Sequence, residues 1–248
     1  MNANRKTAMI VGVLFIIGTV AGVLSVVFTG PILGSPDYLI KVAENENQIV
    51  IGALFVLTMG LALAMVPVMM FPIFKKHNEA LALGYVVFRG GLETVTYIGC
   101  AISWLLLISL SHIYVTAGTP NAPYFQALGA LLMKAADISA ATTAIVFPLG
   151  AVMFYVVFYQ SKLIPRWLSI WGLIGVTLHF VASGPAGMFA LTSPMSTIQS
   201  VLASPILLQE MVMAIWLIVK GFNPSAIASG SAKVDMRLFG NPSGDLLR

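Results

Sequence analysis

The chain has 248 residues, of which 58% are hydrophobic and only 9% charged, against roughly one quarter charged in an ordinary soluble domain. No water-soluble core of this size hides that much apolar surface, so the composition places the chain in the membrane. The formal charge of +4 and pI near 9.3 do not imply a nucleic-acid partner, because Lys and Arg sit in short connections beside apolar runs rather than in one patch.

The chain opens with Arg5 and Lys6, followed by an apolar stretch from Ala8 to Phe28. A signal-peptide core has about 7–15 apolar residues and ends at an A-x-A site; this stretch is longer and gives way to Gly30-Pro31, so it is expected to stay as a membrane helix. Five further runs follow at about 48–74, 80–111, 126–160, 167–184 and 198–219. With residues 8–29 they make six segments, each long enough to cross a hydrocarbon core about 30 Å thick. Backbone groups in lipid must be satisfied within their own segment, and no run shows the period-2 alternation of a barrel. The expected fold is therefore all-α, an integral membrane bundle of six transmembrane helices over residues 1–222. Residues 223–248, rich in Gly, Ser, Asn and Pro, are expected to be a disordered cytoplasmic tail.

Basic residues set the orientation. Arg5, Lys6, Lys75, Lys76, Lys162, Arg166 and the segment after Lys220, with Lys233, Arg237 and Arg248, fall on one side, while the other offers only Lys41. By the positive-inside rule both termini are cytoplasmic. Three helices then oppose three in an inverted topology, although residues 1–112 and 125–222 do not align convincingly. On the outer side, Glu44-Asn45-Glu46-Asn47 reads as an external recognition element or, better, as a cap in which Asn47 or Glu46 accepts from the free N–H groups of the second span. The fourth span is over-long, so its outer part, 124–136, projects or bends, and Pro148 favours a kink.

Ionisable residues within apolar spans are costly, and they are the functional candidates. On the third span Tyr85, Arg89, Glu93 and Tyr97 recur every four residues and form one polar stripe, with Thr96 and Cys100 beside it. Glu93 neutralises Arg89 and locks the helix to a neighbour, or the two make a site for an anion or a proton; Gly90 and Gly91 between them allow close helix approach or ligand access. Glu210, about halfway along the sixth span with no basic residue within a turn, meets Arg89 across the bundle or holds a proton. Lys134 and Asp137 can pair on one face of the fourth span, and His179 lies a little over a turn from the outer end of the fifth.

Metal ligation by His112, His179 and Asp137 is conceivable chemically but lacks any H-x-x-x-H or H-E-x-x-H spacing, so no metal and no cofactor is called for. The chain has no G-x-S-x-G elbow, P-loop or G-x-G-x-x-G, and its single Cys100 sits in an apolar span, so soluble-enzyme chemistry and an internal disulfide are not indicated. Thirteen Met residues, several around Pro67 to Pro72, supply adaptable packing.

Several blocks carry a family likeness. They are Ile10 to Thr19, Asn45-Glu46-Asn47-Gln48, Lys76-His77-Asn78-Glu79-Ala80 through Tyr85, Leu163-Ile164-Pro165-Arg166-Trp167 through Gly172, and Gln209-Glu210-Met211 through Trp216 to Pro224. Over about residues 5 to 228 the chain resembles the bacterial multi-pass membrane proteins grouped as domain of unknown function 4386. The resemblance implies the membrane assignment and no activity. It implies that Arg89, Glu93, an Asp near Asp137 and the Gln209-Glu210 pair are family positions, while Gly90-Gly91 departs from the bulky residues of that pattern.

The expectation is a multi-pass inner-membrane protein that binds or moves a small solute or proton through Arg89, Glu93, Tyr97, Asp137, His179 and Glu210. Two alternatives stand beside it: a non-catalytic scaffold or regulatory subunit, in which the buried charges join helices, and an intramembrane enzyme acting on a lipid or isoprenoid. The expected partners are the lipid bilayer, a small-molecule or lipid ligand and, left open, a second copy of the chain.

Overall fold

The computed structural model describes residues 2–117, 122–184 and 197–239, with the backbone alone at 197–200, 231 and 233–239. Among the described residues every regular element is a helix: α1 (Ala3–Leu33), α2 (Tyr38–Glu44), α3 (Glu46–Phe74), α4 (Glu79–Tyr85), a π-helical turn (Val86–Leu92), α5 (Glu93–Ala117), α6 (Ala122–Ser161), α7 (Arg166–Ser183), α8 (Thr197–Val219) and α9 (Pro224–Phe239). The all-α bundle is as expected.

The long helices close a ring in chain order. α1 packs on α3, α3 on α5, α5 on α6, α6 on α7, α7 on α8, and α8 returns to α1. Five of the segments are long and apolar enough to cross a membrane: Ala3–Leu33, Glu46–Phe74, Glu79–Ala117, Ala122–Ser161 and Val201–Val219. The sixth place in the ring belongs to α7, whose 18 residues begin with Arg166 and include His179; α7 is not among those five.

Lipid tails are as apolar as leucine, so hydrophobicity alone does not draw membrane helices together, and close van der Waals contact must do it. Small residues supply that contact. A Cβ on Gly12 of α1 would lie 2.6 Å from the Ala214 carbonyl oxygen of α8, and one on Gly175 of α7 would lie 3.0 Å from the Ile206 nitrogen of α8. Between α6 and α7, Gly172 lies against the Tyr155 ring, where a Cβ would stand 2.6 Å from Cζ. The interior is aromatic toward the end where the chain starts: Phe154 stacks on Tyr85 at 4.8 Å and meets Phe158 at 4.5 Å, and Phe158 meets Phe74 edge-on at 5.1 Å.

That same end is tied together by backbone capping. Arg5 donates to three carbonyls in the last turn of α8, from Nη1 to Leu217 at 3.0 Å and from Nη2 to Ile218 at 2.6 Å and Val219 at 3.0 Å. These are the carbonyls that a helix end leaves without partners, and a cation there also complements the helix dipole. Gly221, at φ 75°, turns the chain out of α8 close against Arg5. The Asn223 N–H donates to the Leu163 carbonyl at 2.9 Å, joining the exit of α8 to the α6–α7 connection.

Several local expectations change. The segment from Asn223 is not structureless where described: Pro224–Phe239 is helical, started by Asn223 Oδ1 accepting from the Ser225 N–H at 3.2 Å and anchored by buried Phe222 and Ala226. Residues 240–248 of the expected tail lie outside the described residues. The outer connection contains α2, and the cap reading of Asn47 and Glu46 fails, because α3 begins at Glu46 and no side chain among the described residues caps it. Asn45 instead donates from Nδ2 to the Lys41 carbonyl at 2.9 Å, closing α2, and Glu46 pairs with His112 at 2.8 Å. The over-long fourth span is a single helix, Ala122–Ser161, with Pro148 buried inside it.

Gly172→Val should therefore lower stability by about 1–3 kcal/mol, the usual cost of overpacking, because Tyr155 is fully buried and cannot retreat. Thermal unfolding in detergent measures this, and an unchanged melting temperature would mean that α6 and α7 are not in such close contact.

Candidate functional site

The third span does not run as one α-helix. Between α4 and α5 the turn Val86–Leu92 is π-helical, and the Glu93 N–H donates to the Phe88 carbonyl five residues back. Gly90 and Gly91 have the lowest helix propensity of ordinary residues, so the α-helical pattern is cheapest to relax here. Single π turns recur at functional sites. The turn is held from both flanks. Gly90 packs on Pro67 of α3, where a Cβ would lie 3.3 Å from Pro67 Cγ, and Gly150 of α6 allows such a close approach that a Cβ would stand 3.1 Å from the Arg89 backbone nitrogen. Gly91 faces open space.

Arg89 points into the ring. Its Nη1 donates to both carboxylate oxygens of Glu93, at 3.1 and 3.2 Å, and its Nη2 donates to Glu210 Oε1 of α8 at 3.2 Å. Tyr97 donates its hydroxyl to Glu93 Oε1 at 2.7 Å, and its ring fits over Gly60 of α3, where a Cβ would lie 3.2 Å from Cδ2. The guanidinium also lies over the Phe147 ring, 4.6 Å from its centroid, a cation–π contact that gains strength where water is absent. Side-chain exposure is 4% for Arg89, 1% for Glu93 and 14% for Glu210, so whatever access the cluster has is on the Glu210 side.

One guanidinium thus serves two carboxylates on two helices. With all three ionised the cluster carries one net negative charge in a buried setting, and a proton or a monovalent cation would balance it. An unbalanced charge away from water is expensive. The chemistry available is proton exchange at a carboxyl, exchange of one carboxylate partner of Arg89 for another anion, or purely structural pairing.

A second polar bridge adjoins it. Gln209, fully buried, accepts from the Tyr155 hydroxyl at 2.5 Å and donates from Nε2 to the Leu168 carbonyl at 2.9 Å. It joins α6, α7 and α8 one residue from Glu210. Above the cluster, the Thr96 and Thr143 hydroxyls meet at 2.5 Å between α5 and α6, and Thr96 Oγ1 also donates to the Glu93 carbonyl at 2.7 Å.

Of the residues singled out in the sequence, the fold brings Arg89, Glu93, Tyr97 and Glu210 together. His179 meets Phe147 edge-on at 5.3 Å, and its buried Nδ1 has no hydrogen-bond partner among the described residues; it belongs to the surroundings of the cluster. Asp137 is exposed and lies within electrostatic reach of Cys100. Tyr85, four residues before Arg89, stacks on Phe154 at 4.8 Å and stays within electrostatic reach of Arg89 and Glu210. His112 is taken up by Glu46, and among the described residues no three His, Cys, Asp or Glu side chains gather as metal ligands. The sequence reasoning missed Tyr155, Phe147 and Thr143. A mid-span Tyr hydroxyl must find a partner in lipid, and that signal points to Tyr155; nothing in an apolar stretch distinguishes Phe147.

Residues 10–221 match the family described as Domain of unknown function (DUF4386). The chain belongs to that family. The match spans every helix of the ring, and the DUF4386 chain is a multi-pass membrane protein with Arg89, Glu93 and Glu210 inside the matched segment. No curated protein and no solved structure matches it.

In this DUF4386 protein, Arg89→Met should destabilise by about 3–5 kcal/mol, since it strands two carboxylates, and Tyr97→Phe by about 1–3 kcal/mol, since Glu93 loses one donor. Unfolding in detergent gives both values, and equal effects for the two would contradict the central place of Arg89.

Proposed function

We propose that this is an inner-membrane protein of bacteria, with both ends of the chain in the cytoplasm, that binds or moves a small solute or proton through the Arg89–Glu93–Glu210 cluster. One observation carries the reading: two carboxylates share a single guanidinium, 3.1 Å and 3.2 Å away. Glu93 has three hydrogen bonds from two donors within its own helical segment, so it is the fixed partner. Glu210 has one contact to Arg89, from another helix, and more exposure, so it is the exchangeable one. Proton uptake at Glu210, or capture of Arg89 by an incoming anion, would each loosen α8 from the third span while leaving the Arg89–Glu93 pair intact. The orientation follows from the basic residues gathered at the end where Arg5, Lys162, Arg166 and Lys220 lie.

A second reading, in which the charges join helices and the protein is a scaffold or regulatory subunit, is favoured by the Gln209–Tyr155–Leu168 bridge. That bridge lies beside Glu210 and ties α8 to α6 and α7 without any exchangeable group.

Glu210→Gln separates the two. The amide keeps a hydrogen-bond acceptor for Arg89 but cannot exchange a proton. On the proton-exchange reading the variant keeps its melting temperature and loses a carboxyl band from the infrared difference spectrum taken between acidic and alkaline buffer, along with any proton-driven uptake into vesicles. An unchanged spectrum would refute exchange at Glu210, and a large loss of thermal stability with an unchanged spectrum would support the scaffold.

A further inference from the structure

The end of the ring where α1 begins, α6 turns into α7 and α8 ends holds two adjoining cavities. One, of about 430 Å³, is bordered by Lys162, Arg166, Trp216 and Lys220. The other, of about 340 Å³, is bordered by Arg5 and again by Lys220, and the two share Phe222 and Pro224. Among the described residues, neither lining contains an Asp or Glu, and neither Lys162, Arg166 nor Lys220 is paired with a carboxylate. All three are exposed.

The rim that carries these cations is rigid. Lys162 itself is at φ 60°, and the turn around it is held by the Asn223 N–H on the Leu163 carbonyl at 2.9 Å. Arg166 is fixed over the Tyr159 ring at 5.1 Å. Arg5 is committed to the last carbonyls of α8 and adds charge without being free to move.

From this rim two apolar strips run along the outside of the ring. On α7, Trp167, Ile170 and Ile174 are exposed, and on α8, Val212, Ile215 and Val219 are exposed. Each set is spaced by three and four, one helix face. These faces meet acyl chains in a membrane, and Trp216 at the cavity wall is of the type found at the headgroup level. A water-soluble anion would use the cations and leave the strips unused; a phospholipid uses both.

We propose that the larger cavity is a binding site for an anionic phospholipid, its phosphate held by Lys162, Arg166 and Lys220 and its chains lying along α7 and α8. Basic pockets between helices at a membrane surface take such headgroups. The site is separate from the Arg89 cluster and stands or falls independently of it.

The test uses the full chain in neutral detergent, titrated with phosphatidylglycerol or phosphatidylcholine and read by native mass spectrometry as lipid retained. The wild-type protein should retain phosphatidylglycerol well above phosphatidylcholine. Lys162→Gln, Arg166→Gln and Lys220→Gln should each weaken that retention about fivefold and the triple variant by about a hundredfold, with the melting temperature in phosphatidylcholine unchanged. Equal retention of the two lipids by the wild type overturns the proposal, as does undiminished retention by the triple variant. Displacement of phosphatidylglycerol by inorganic phosphate at equal concentration also overturns it, since the ligand would then be a free anion. Should the triple variant melt earlier in phosphatidylcholine, the wild-type comparison of the two lipids and the phosphate competition decide.

Discussion

A guanidinium placed inside a membrane is the constraint that the rest of this structure answers. An Arg at a helix centre costs about 2.5–3.5 kcal/mol on insertion scales, and the cost falls only if its donors find acceptors and its charge finds an opposite. Arg89 gets both from Glu93 on its own segment and Glu210 from α8, and its flat face is covered by Phe147 of α6. The elements around it follow from that need. The glycines at 90 and 150 bring α3 against the π turn and α6 to the Arg89 backbone. Tyr97, seated over Gly60, completes the hydrogen bonding of Glu93.

Closure of the ring is a separate matter, and different physics governs it at different depths. In the apolar interior, small residues let helices touch, as at Gly12, Gly172 and Gly175. In the middle, polar side chains bridge helices, as Gln209 does between α6 and α7. At the end where the chain starts, Arg5 reaches the unpaired carbonyls of α8 and so joins the first helix to the last. No one of these is strong, since inter-helix hydrogen bonds in membranes average well under about 2 kcal/mol; a ring needs all its seams closed.

The helical spans were legible because the membrane imposes a single rule on every residue of a segment, and apolar runs announce themselves: Ala3–Leu33, Glu46–Phe74 and Arg166–Ser183 lie within a few residues of the expected bounds. The Arg89–Glu93 pair was legible for a related reason, since a spacing of four places both on one helix face. What depends on distant contacts was not. The meeting of Arg89 with Glu210 spans 121 positions of the chain and stood only as one of two outcomes. The π turn escaped because Gly90-Gly91 reads as a place for close packing, without saying that the hydrogen-bond ladder shifts there. Asp137 reads as part of the site because it is an acid in an apolar run, yet it is exposed on α6 while the cluster around Arg89 is buried. The helix after Asn223 has a weak sequence signal because its first turns are made of small and polar residues; these turns are ordered by Phe222 and Ala226 packing on the bundle.

The two carboxylates are not equivalent, and their difference lies in how they are held. Glu93 follows Arg89 by one turn, so the pair forms as soon as the helix does and no movement between helices disturbs it. Glu210 depends on α8 keeping its place, and α8 is positioned by Gln209 on one side and by Gly12 and Arg5 on the other. A guanidinium is a rigid fork, with one prong on Glu93 and the other on Glu210. Separation of α8 by even an ångström would take the second contact from 3.2 Å beyond hydrogen-bond length while leaving the first unchanged. The charge that one helix supplies is therefore the only one in the cluster whose pairing reports the arrangement of the ring, and it is also the one with the greatest exposure.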